Sequence, residues 1–520
     1  MAGEWWRGAV IYQVYPRSFA DGTGDGVGDL AGLAEKLPYV ASLGVDAIWL
    51  SPVFVSPMRD FGYDVADWCA VDPLFGTMAD FDRVVAGAHE LGLKVILDQV
   101  WGHSSDRHPW FAESRASRAN PKTDWYVWAD PRPDGSPPNN WLSVFGGPAW
   151  TWEPRRRQYY LHHFLPSQPA LDWCNPQVAE AMLAVGEFWL GRGVDGFRLD
   201  AVDFLAHDPG LHDNPPRGLA EIPQRPFAMQ EHRHDMIQPS ALAILGRIRT
   251  LTDRFPGTVT MAELSSVGDP FARAALYTAP GHLHTAYTLG VMRRPFTAAS
   301  LTAIIAEVEA KVPAGTLAWA FSNHDVERAA SRWGDGSPAA AQMMLALLLG
   351  LRGPVCLYQG EELGLPEADI PFERLVDPFG RNFWPDFKGR DGCRTPLPWT
   401  LAPEPVRPWL PVPDAHRALA VEVQEADGAS TLNVTRRLLR WRRRHPALVD
   451  GALRLVDLDP ALVAFEREGG GERLLCVFNP GPAERRVASD TLPAEGLGYR
   501  VEDGFLVLAG WGAAFLPVTA

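Results

Sequence analysis

"GVDGFRLDAVDF", residues 193–204, is a short apolar run that ends in an arginine and an aspartate two positions apart, just ahead of a helix start. Period-two alternation along a strand puts Arg198 and Asp200 on one face. Taken alone, an Arg-x-Asp pair reads as a buried ion pair. What it means here depends on the company it keeps.

Seven other β-rich apolar runs recur along the chain, separated by amphipathic stretches with helical periodicity: "AVIYQVYP" near 9, "AIWLSP" near 47, "KVILDQV" near 94, "TVTMAEL" near 258, "HTAYTL" near 284, "LAWAFSNHD" near 317 and "PVCLYQGEELG" near 354. Strands alternating with helices predict a parallel sheet with crossover helices. Eight of them predict an α/β fold closed as a (β/α)8 TIM barrel, which places its chemistry at the C-terminal ends of the strands. Residues 103–172, rich in Trp, Pro, Asn and Arg, are too long for an ordinary loop and read as a subdomain inserted after the third strand. A second long segment, His207 to Asp235, follows the fourth strand and reads as a lid. The stretches "LVAFERE", "ERLLCVFNP" and "GFLVLAG" read as a C-terminal antiparallel β domain. The expected boundaries are 1–102 with 173–445 for the barrel, 103–172 for the insertion and 446–520 for the β domain.

The chain has 520 residues, 46% of them hydrophobic, and a net charge of −15. That charge disfavours nucleic acid and anionic membrane as partners, which demand a basic footprint, and favours neutral or cationic ligands. No leader pattern or membrane-length apolar segment is visible, so the expected location is the cytoplasm. Five scattered cysteines, an odd number without close pairing, read as reduced thiols.

The polar residues ending the other strands decide between ion pair and catalyst. The fifth run leaves Glu263 at the rim, the seventh His324 and Asp325, and the third Asp98 and His103. Each by itself reads as a capping or structural group. Together they surround one opening, and two carboxyls flanking a bond are what glycosidic cleavage requires: an acid for the leaving oxygen and a carboxylate for the oxocarbenium-like carbon.

These stretches resemble glycoside hydrolase family 13, the α-amylase family, in its α-glucosidase and oligo-1,6-glucosidase branch. The likeness rests on "IYQVYPRSF", "DGVGDLAGL", "DFGYDVADW", "DQVWGHSSD", "QPALDW", "GFRLDAV", "MAEL", "FSNHD", "YQGEELGL" and "GRDGCRTPLPW", in the family's order across nearly the whole chain. It implies that Asp200 is the nucleophile of a covalent β-glucosyl intermediate, Glu263 the acid and then the base, and Asp325 the transition-state stabiliser, with Arg198 keeping Asp200 ionised. It implies further that Asp60, His103, His324 and Arg390 bond the terminal glucose, that Tyr63 offers it an aromatic face, and that Phe145 lines the site. Arg394 and Asp98 are expected to be supporting residues.

In "DGTGDGVGDL" the resemblance implies a structural Ca²⁺ held by Asp21, Thr23, Asp25, the Val27 carbonyl and Asp29; on spacing alone the loop reads equally as a metal-free turn. No catalytic cofactor is expected. The chain departs from the family pattern at Gly102, at Ala170 and Asp172, and at "YTLG", none of which removes a catalytic group. The small Ala201 after the nucleophile leaves room at the acceptor side. The expected function is therefore a retaining, exo-acting α-glucosidase of short α-glucosides, maltose-like α-1,4 bonds preferred and sucrose included. The alternatives are a transglucosylase, with sugar or alcohol acceptors, or an oligo-1,6-glucosidase; a non-catalytic binding relative fits worst. A monomer or homodimer is expected.

Overall fold

The computed structural model describes residues 4–403, 406–489 and 491–518. Eight parallel strands form one sheet: β1 (Val10–Val14), β2 (Ala47–Leu50), β3 (Lys94–Gln99), β4 (Gly196–Leu199), β5 (Val259–Leu264), β6 (Thr285–Thr288), β7 (Trp319–Ala320) and β8 (Val355–Tyr358). Their spatial order is β6-β5-β4-β3-β2-β1-β8-β7. A parallel bridge between Ala286 and Leu317 joins the two ends, where Thr316 O accepts from Ala286 N and Ala286 O from Ala318 N. The sheet is thereby a closed barrel, and each strand coincides with one of the eight apolar runs.

The runs lack polar alternation because helices cover the outside while side chains fill the inside, so nearly every strand position is buried. Inward positions follow the two-residue period. Ile11, Ala47, Ile96 and Met261 pack with Trp49, Tyr287 and Cys356 in an apolar plug. Two residues further along their strands, Gln13, Asp98 and Glu263 stand at the upper end, all buried. The lower barrel is thus an oily core and its mouth a polar one.

Gly196 opens the inward series of β4, paired with Val259 of β5 and Ile96 of β3. A Cβ there would stand 2.2 Å from the Val259 carbonyl oxygen, so only glycine lets the two strands approach.

Three further units surround the barrel. Within 103–172 the short strands Trp128–Ala129, Trp150–Glu153 and Gln158–Leu161 pair antiparallel over a small core that includes Trp141, Trp150 and Leu161. The segment after β4 is mostly irregular, and it fastens to that insertion. Trp141 Nε1 donates to His212 O (2.8 Å), Asn139 Nδ2 to Leu211 O (3.1 Å), and Arg132 pairs with Asp213 (2.9 Å). Insertion and segment thus form one roof over the barrel mouth. From Ala452 onward six antiparallel strands, β9 (Ala452–Leu455), β10 (Val463–Gly469), β11 (Glu472–Phe478), β12 (Arg485–Ala488), β13 (Glu495–Glu502) and β14 (Phe505–Pro517), form the last unit. Phe465, Phe478 and Phe515 of this sheet meet Gly350, the last residue of the helix Pro338–Gly350. No helix among the described residues is long and apolar enough to cross a membrane.

Replacing Gly196 by Ala is expected to lower stability by ~1–3 kcal/mol through overpacking, read as a fall in melting temperature. An unchanged melting temperature would show that the β4–β5 approach is not the constraint.

Candidate active site

The guanidinium of Arg198 lies at the barrel mouth with no solvent exposure. Its Nη1 reaches Asp98 Oδ1 at 2.8 Å and Asp200 Oδ1 at 2.7 Å, and its Nη2 reaches Glu263 Oε2 at 2.5 Å. The Tyr287 hydroxyl accepts from Nη2 at 2.8 Å. Register explains the convergence, since Arg198 stands beside Asp98 on β3 and Met261 on β5, while Glu263 stands beside Tyr287 on β6. Asp98 is in turn held by the Tyr63 hydroxyl (2.9 Å) and Trp49 Nε1 (3.1 Å), as expected of a supporting group.

Just past β4 the backbone turns sharply. Ala201 sits in the left-handed region (φ 43°, ψ 46°), uncommon for a residue with a side chain. This aims its N–H at Glu263 Oε2, 3.1 Å away. The residue after one carboxylate thus donates to the other.

One buried positive charge faces three carboxylates, and the two that face the cavity are affected alike. Burial pushes Asp200 up to about 7, with Arg198 opposing and the charges of Asp98 and Asp325 assisting. Burial likewise pushes Glu263 up to about 7, opposed by Arg198 and assisted by Asp200 and Asp325. Neither can ionise without raising the other, so near neutrality the pair holds one proton between them. Arg198 therefore does not hold Asp200 ionised unaided, because its charge is divided.

Asp325, in the loop after β7, is treated differently. Burial works against its ionisation while His324, Arg390 and Arg394 work for it. His324 is itself neutral, pushed down to about 3 chiefly by burial, so the two guanidiniums are the charges that hold Asp325 well below the usual carboxylate range. Arg394 Nη2 lies 2.5 Å and Arg390 Nη1 3.2 Å from its Oδ1. Arg394, expected only to support, bonds this carboxylate directly and also donates through Nε to the His324 carbonyl (2.6 Å).

The closed end of the cavity is built from the loop after β2. Buried Asp64 accepts from the backbone N–H groups of Arg59 and Asp60 (both 3.0 Å) and from Ser56 Oγ (2.8 Å), fixing a turn in which Phe61 and Gly62 have positive φ. Asp60 then pairs with Arg390 Nη2 at 2.7 Å and accepts from Gln168 Nε2 at 3.0 Å. Tyr63 stacks on His324 at 5.1 Å with 7° between the rings. Gln13 Nε2 lies 2.8 Å from His324 Nδ1; with the amide donating, Nε2 carries the imidazole proton, and that atom is buried without a protein partner. His103 Nε2 sits 2.9 Å from the Tyr63 carbonyl, and burial pushes its ring down to about 4.

A cavity of about 1060 Å³ collects these groups: Asp60, Tyr63, His103, Phe145, Asp200, Ala201, Glu263, Asp325 and Arg390 all line it. Arg198 and His324 stand behind that lining, Arg198 against the carboxylates and His324 against Tyr63. Sequence reasoning assigned no role to Asp377, which bonds Arg390 through Nη2 at 2.7 Å and accepts from its backbone N–H at 2.8 Å, nor to Gln13 and Tyr287. Gln168 stands in the quoted "QPALDW" stretch, Gln13 in "IYQVYPRSF" and Tyr287 in "HTAYTL", so all three lay within stretches already singled out, whereas Asp377 did not.

The loop expected to hold a metal lies elsewhere. Asp21, Thr23, Asp25, Val27 and Asp29 offer only oxygen donors, the type a Ca²⁺ takes. In this structure their carboxylates are occupied by backbone amides: Asp21 accepts from Gly24 N (2.6 Å) and Gly26 N (2.7 Å), Asp25 from Val27 N (2.9 Å), and Asp29 from Gly32 N (2.7 Å), capping the helix Leu30–Leu43. Among the described residues the converging cluster of metal-ligand type is Asp208, His212 and His234, on the roof segment.

Comparison with known proteins agrees with this chemistry. Residues 13–451 match the family model described as "Alpha amylase, catalytic domain". A probable alpha-glucosidase of Rhizobium meliloti (strain 1021) is 49% identical over 98% of this chain and 97% of its own. An oligo-1,6-glucosidase of Heyndrickxia coagulans is 35% identical over 92% of each chain. Among solved structures, the alpha-glucosyl transfer enzyme XgtA superposes with a TM-score of 0.95 at 51% identity, covering 98% of this chain and 99% of that one. Trehalulose synthase MutB from Pseudomonas mesoacidophila MX-45 does so at 0.89 and 32%, covering 99% of each.

The shared proton makes a pH prediction. A general acid must be protonated, so kcat/KM for maltose should fall about tenfold per unit once pH rises above about 7. It should fall again in acid as the second carboxylate takes up a proton. A pH–rate profile flat from 6 to 9 would rule out the carboxyl pair as acid and nucleophile.

Proposed function

The chain belongs to the α-amylase family, and from that premise we propose that it is a retaining, exo-acting α-glucosidase that removes the terminal non-reducing glucosyl unit of short α-glucosides. The observation that carries the reading is the pair Asp200 and Glu263 bound to the two terminal nitrogens of one guanidinium. Such bridging favours the short carboxyl separation of retaining enzymes, about 5–5.5 Å, over the wider spacing of about 6.5–9.5 Å that admits a water.

The steps follow from the charges. Glu263, holding the shared proton, donates it to the glycosidic oxygen while ionised Asp200 attacks C1 from the opposite face. The C1–O bond breaks and a β-glucosyl ester forms on Asp200. Asp325, ionised throughout, stabilises the positive charge that develops on the sugar ring. Water then gives its proton to Glu263 and its oxygen to C1, and the ester bond's electrons return to Asp200. Two inversions return the α configuration.

Exo-action is the reading we attach to the Asp60–Arg390 pair and Gln168, which bond one another in the cavity lining and would bound a subsite for one glucosyl unit. Tyr63, His103 and His324 are assigned to that unit. Ala201, lining the acceptor side, favours maltose-like α-1,4 bonds.

Transglucosylation is the second reading. A cavity of about 1060 Å³ stands at the upper end of ligand-pocket sizes, about 300–1,000 Å³, and leaves space for a sugar or alcohol in place of water. The similarity to an alpha-glucosyl transfer enzyme favours the same capability.

For the cell, the proposed location is the cytoplasm: all five cysteines are free, and Cys356, Cys393 and Cys476 are buried. We also propose that the loop 21–29 takes a Ca²⁺, which would draw Asp21 and Asp25 away from their backbone amides. A chelator should then lower the melting temperature by a few degrees, restored by Ca²⁺ but not by Mg²⁺. No shift, with no bound calcium by elemental analysis, would leave the loop a metal-free turn.

The function is tested by following the products from maltose, isomaltose and sucrose separately by proton NMR. The α-anomer of glucose should appear first, with maltose cleaved faster than isomaltose. Asp200→Ala should lose activity by 10⁴-fold or more, the order reported for removing a covalent nucleophile. Initial release of the β-anomer would overturn the retaining mechanism.

A further inference from the structure

The arginines lining the cavity fall into two groups. Arg390 is neutralised by Asp60, Asp325 and Asp377, Arg273 by Asp203, and Arg233 by Glu231. Arg217, Arg225 and Arg293 also line the cavity, yet among the described residues none of the three forms an ion pair; Arg217 is exposed on the roof segment, and the other two are held by neighbouring side chains. Arg225, from the roof segment, lies with its guanidinium 5.4 Å from the ring centroids of both Phe379 and Phe387. Arg293, from the loop after β6, donates only to Ser266 Oγ at 2.8 Å.

The two stand close enough for their charges to matter to one another. Burial and the charge of Arg225 push Arg293 below its ordinary value, while Asp325 and Glu263 pull the other way. Burial lowers Arg225 too. Arg225 is nonetheless only half-buried and Arg293 exposed, so both guanidiniums face the cavity solvent with no carboxylate bonded to either among the described residues. Guanidiniums present planar forks of donors suited to carboxylate and phosphate. The rings of Phe379 and Phe387 give the Arg225 guanidinium an aromatic surface to rest against.

We propose that Arg225 and Arg293 form an anion-binding acceptor subsite, so that the leaving or accepting partner of the glucosyl group is a hydroxy compound bearing a carboxylate or a phosphate. The inference rests on the glucosidase reading for the donor half of the cavity. Carboxylates surround the glucosyl end and free guanidiniums the acceptor end, so a neutral sugar joined to an anionic partner meets matching charge along its length. In transfer, the partner's hydroxyl oxygen bonds to C1 and its proton passes to Glu263. The C1–Asp200 ester bond breaks and its electron pair returns to the carboxylate. The protein's net charge of −15 argues against anions overall, and this local reversal of sign is what gives the subsite selectivity.

The test separates binding from turnover. Wild-type protein saturated with glucose is titrated calorimetrically with glycerol, glycerate and glycerol 3-phosphate, three partners that differ in charge. At least one anion should bind tenfold or more tightly than glycerol, and the affinity should weaken with added NaCl. A preference for glycerol 3-phosphate assigns the phosphate source, one for glycerate the carboxylate source. The Arg225→Gln/Arg293→Gln double variant should bring anion and glycerol to within about twofold, whereas Arg225→Lys/Arg293→Lys should retain a preference. Should the glutamine variant not fold, the salt dependence of the wild type decides. Anions binding no better than glycerol would overturn the subsite, whatever maltose does. Failure to cleave maltose would overturn the glucosidase reading and leave the titration standing. With maltose as donor, the ratio of anionic to neutral glucosylated product should follow the same order across the variants.

Discussion

A single guanidinium with no exposure to water, Arg198, organises the mouth of the barrel. It must be there because three carboxylates converge on that point, and they converge because the two-residue period of β3, β4 and β5 brings Asp98, Asp200 and Glu263 to one level above the apolar plug. One positive charge cannot satisfy three negative ones. The unpaid remainder appears as a proton held at neutral pH by a pair of groups that would each be fully ionised in water. The cost falls on stability. Carboxyls whose folded pKa is raised favour the folded state while they are protonated, an advantage present below their unfolded values and lost as pH rises through about 7. The packed barrel beneath tolerates that loss and so keeps an acid and a nucleophile side by side.

The rest of the cavity shows the same division of labour between neighbouring charges. Asp325 differs from Asp200 chiefly in company, since Arg390 and Arg394 both bond it, and it is also the more exposed of the two. One aspartate is thereby permanently charged and the other poised. His324, clasped between the rings of Tyr15 and Tyr63, is kept neutral and so holds an unpartnered Nε2 proton without adding charge. Farther out the sign reverses at Arg225 and Arg293.

How much of this could be read from the chain varies with the element. All eight barrel strands were legible, because strands buried on both faces read as unbroken apolar runs and the barrel's chemistry marks their ends with polar residues. Even β7, only two residues long, was found through the longer run around it. Asp200 and Glu263 were legible for the same reason. Arg394 was placed correctly near the site but its bond to Asp325 was not visible, because no local pattern says which way an arginine in an irregular loop points. Gln13 and Tyr287 act through partners 311 and 89 positions away on other strands or loops, and Asp377 through Arg390 thirteen positions on in irregular chain, none of which periodicity can report. Arg225 and Arg293 carry no motif at all. Their significance lies in the counter-ions they lack, a property of the assembled cavity rather than of the sequence.

The roof is one piece made from two separate stretches of chain. Trp141, Asn139 and Arg132 of the insertion grip residues 211–213 of the segment after β4, and that segment continues to Arg225. Neither stretch holds its shape by regular secondary structure alone; each uses the other as a template. For divergence among relatives this makes the pair a co-inherited cassette. A barrel that exchanged one half with a relative would receive side chains with no matching seat, while exchanging both would move a whole acceptor rim onto unchanged catalytic machinery. Selection on what the enzyme glucosylates should therefore leave paired changes in two stretches well separated in the chain, and little trace in the strands between them.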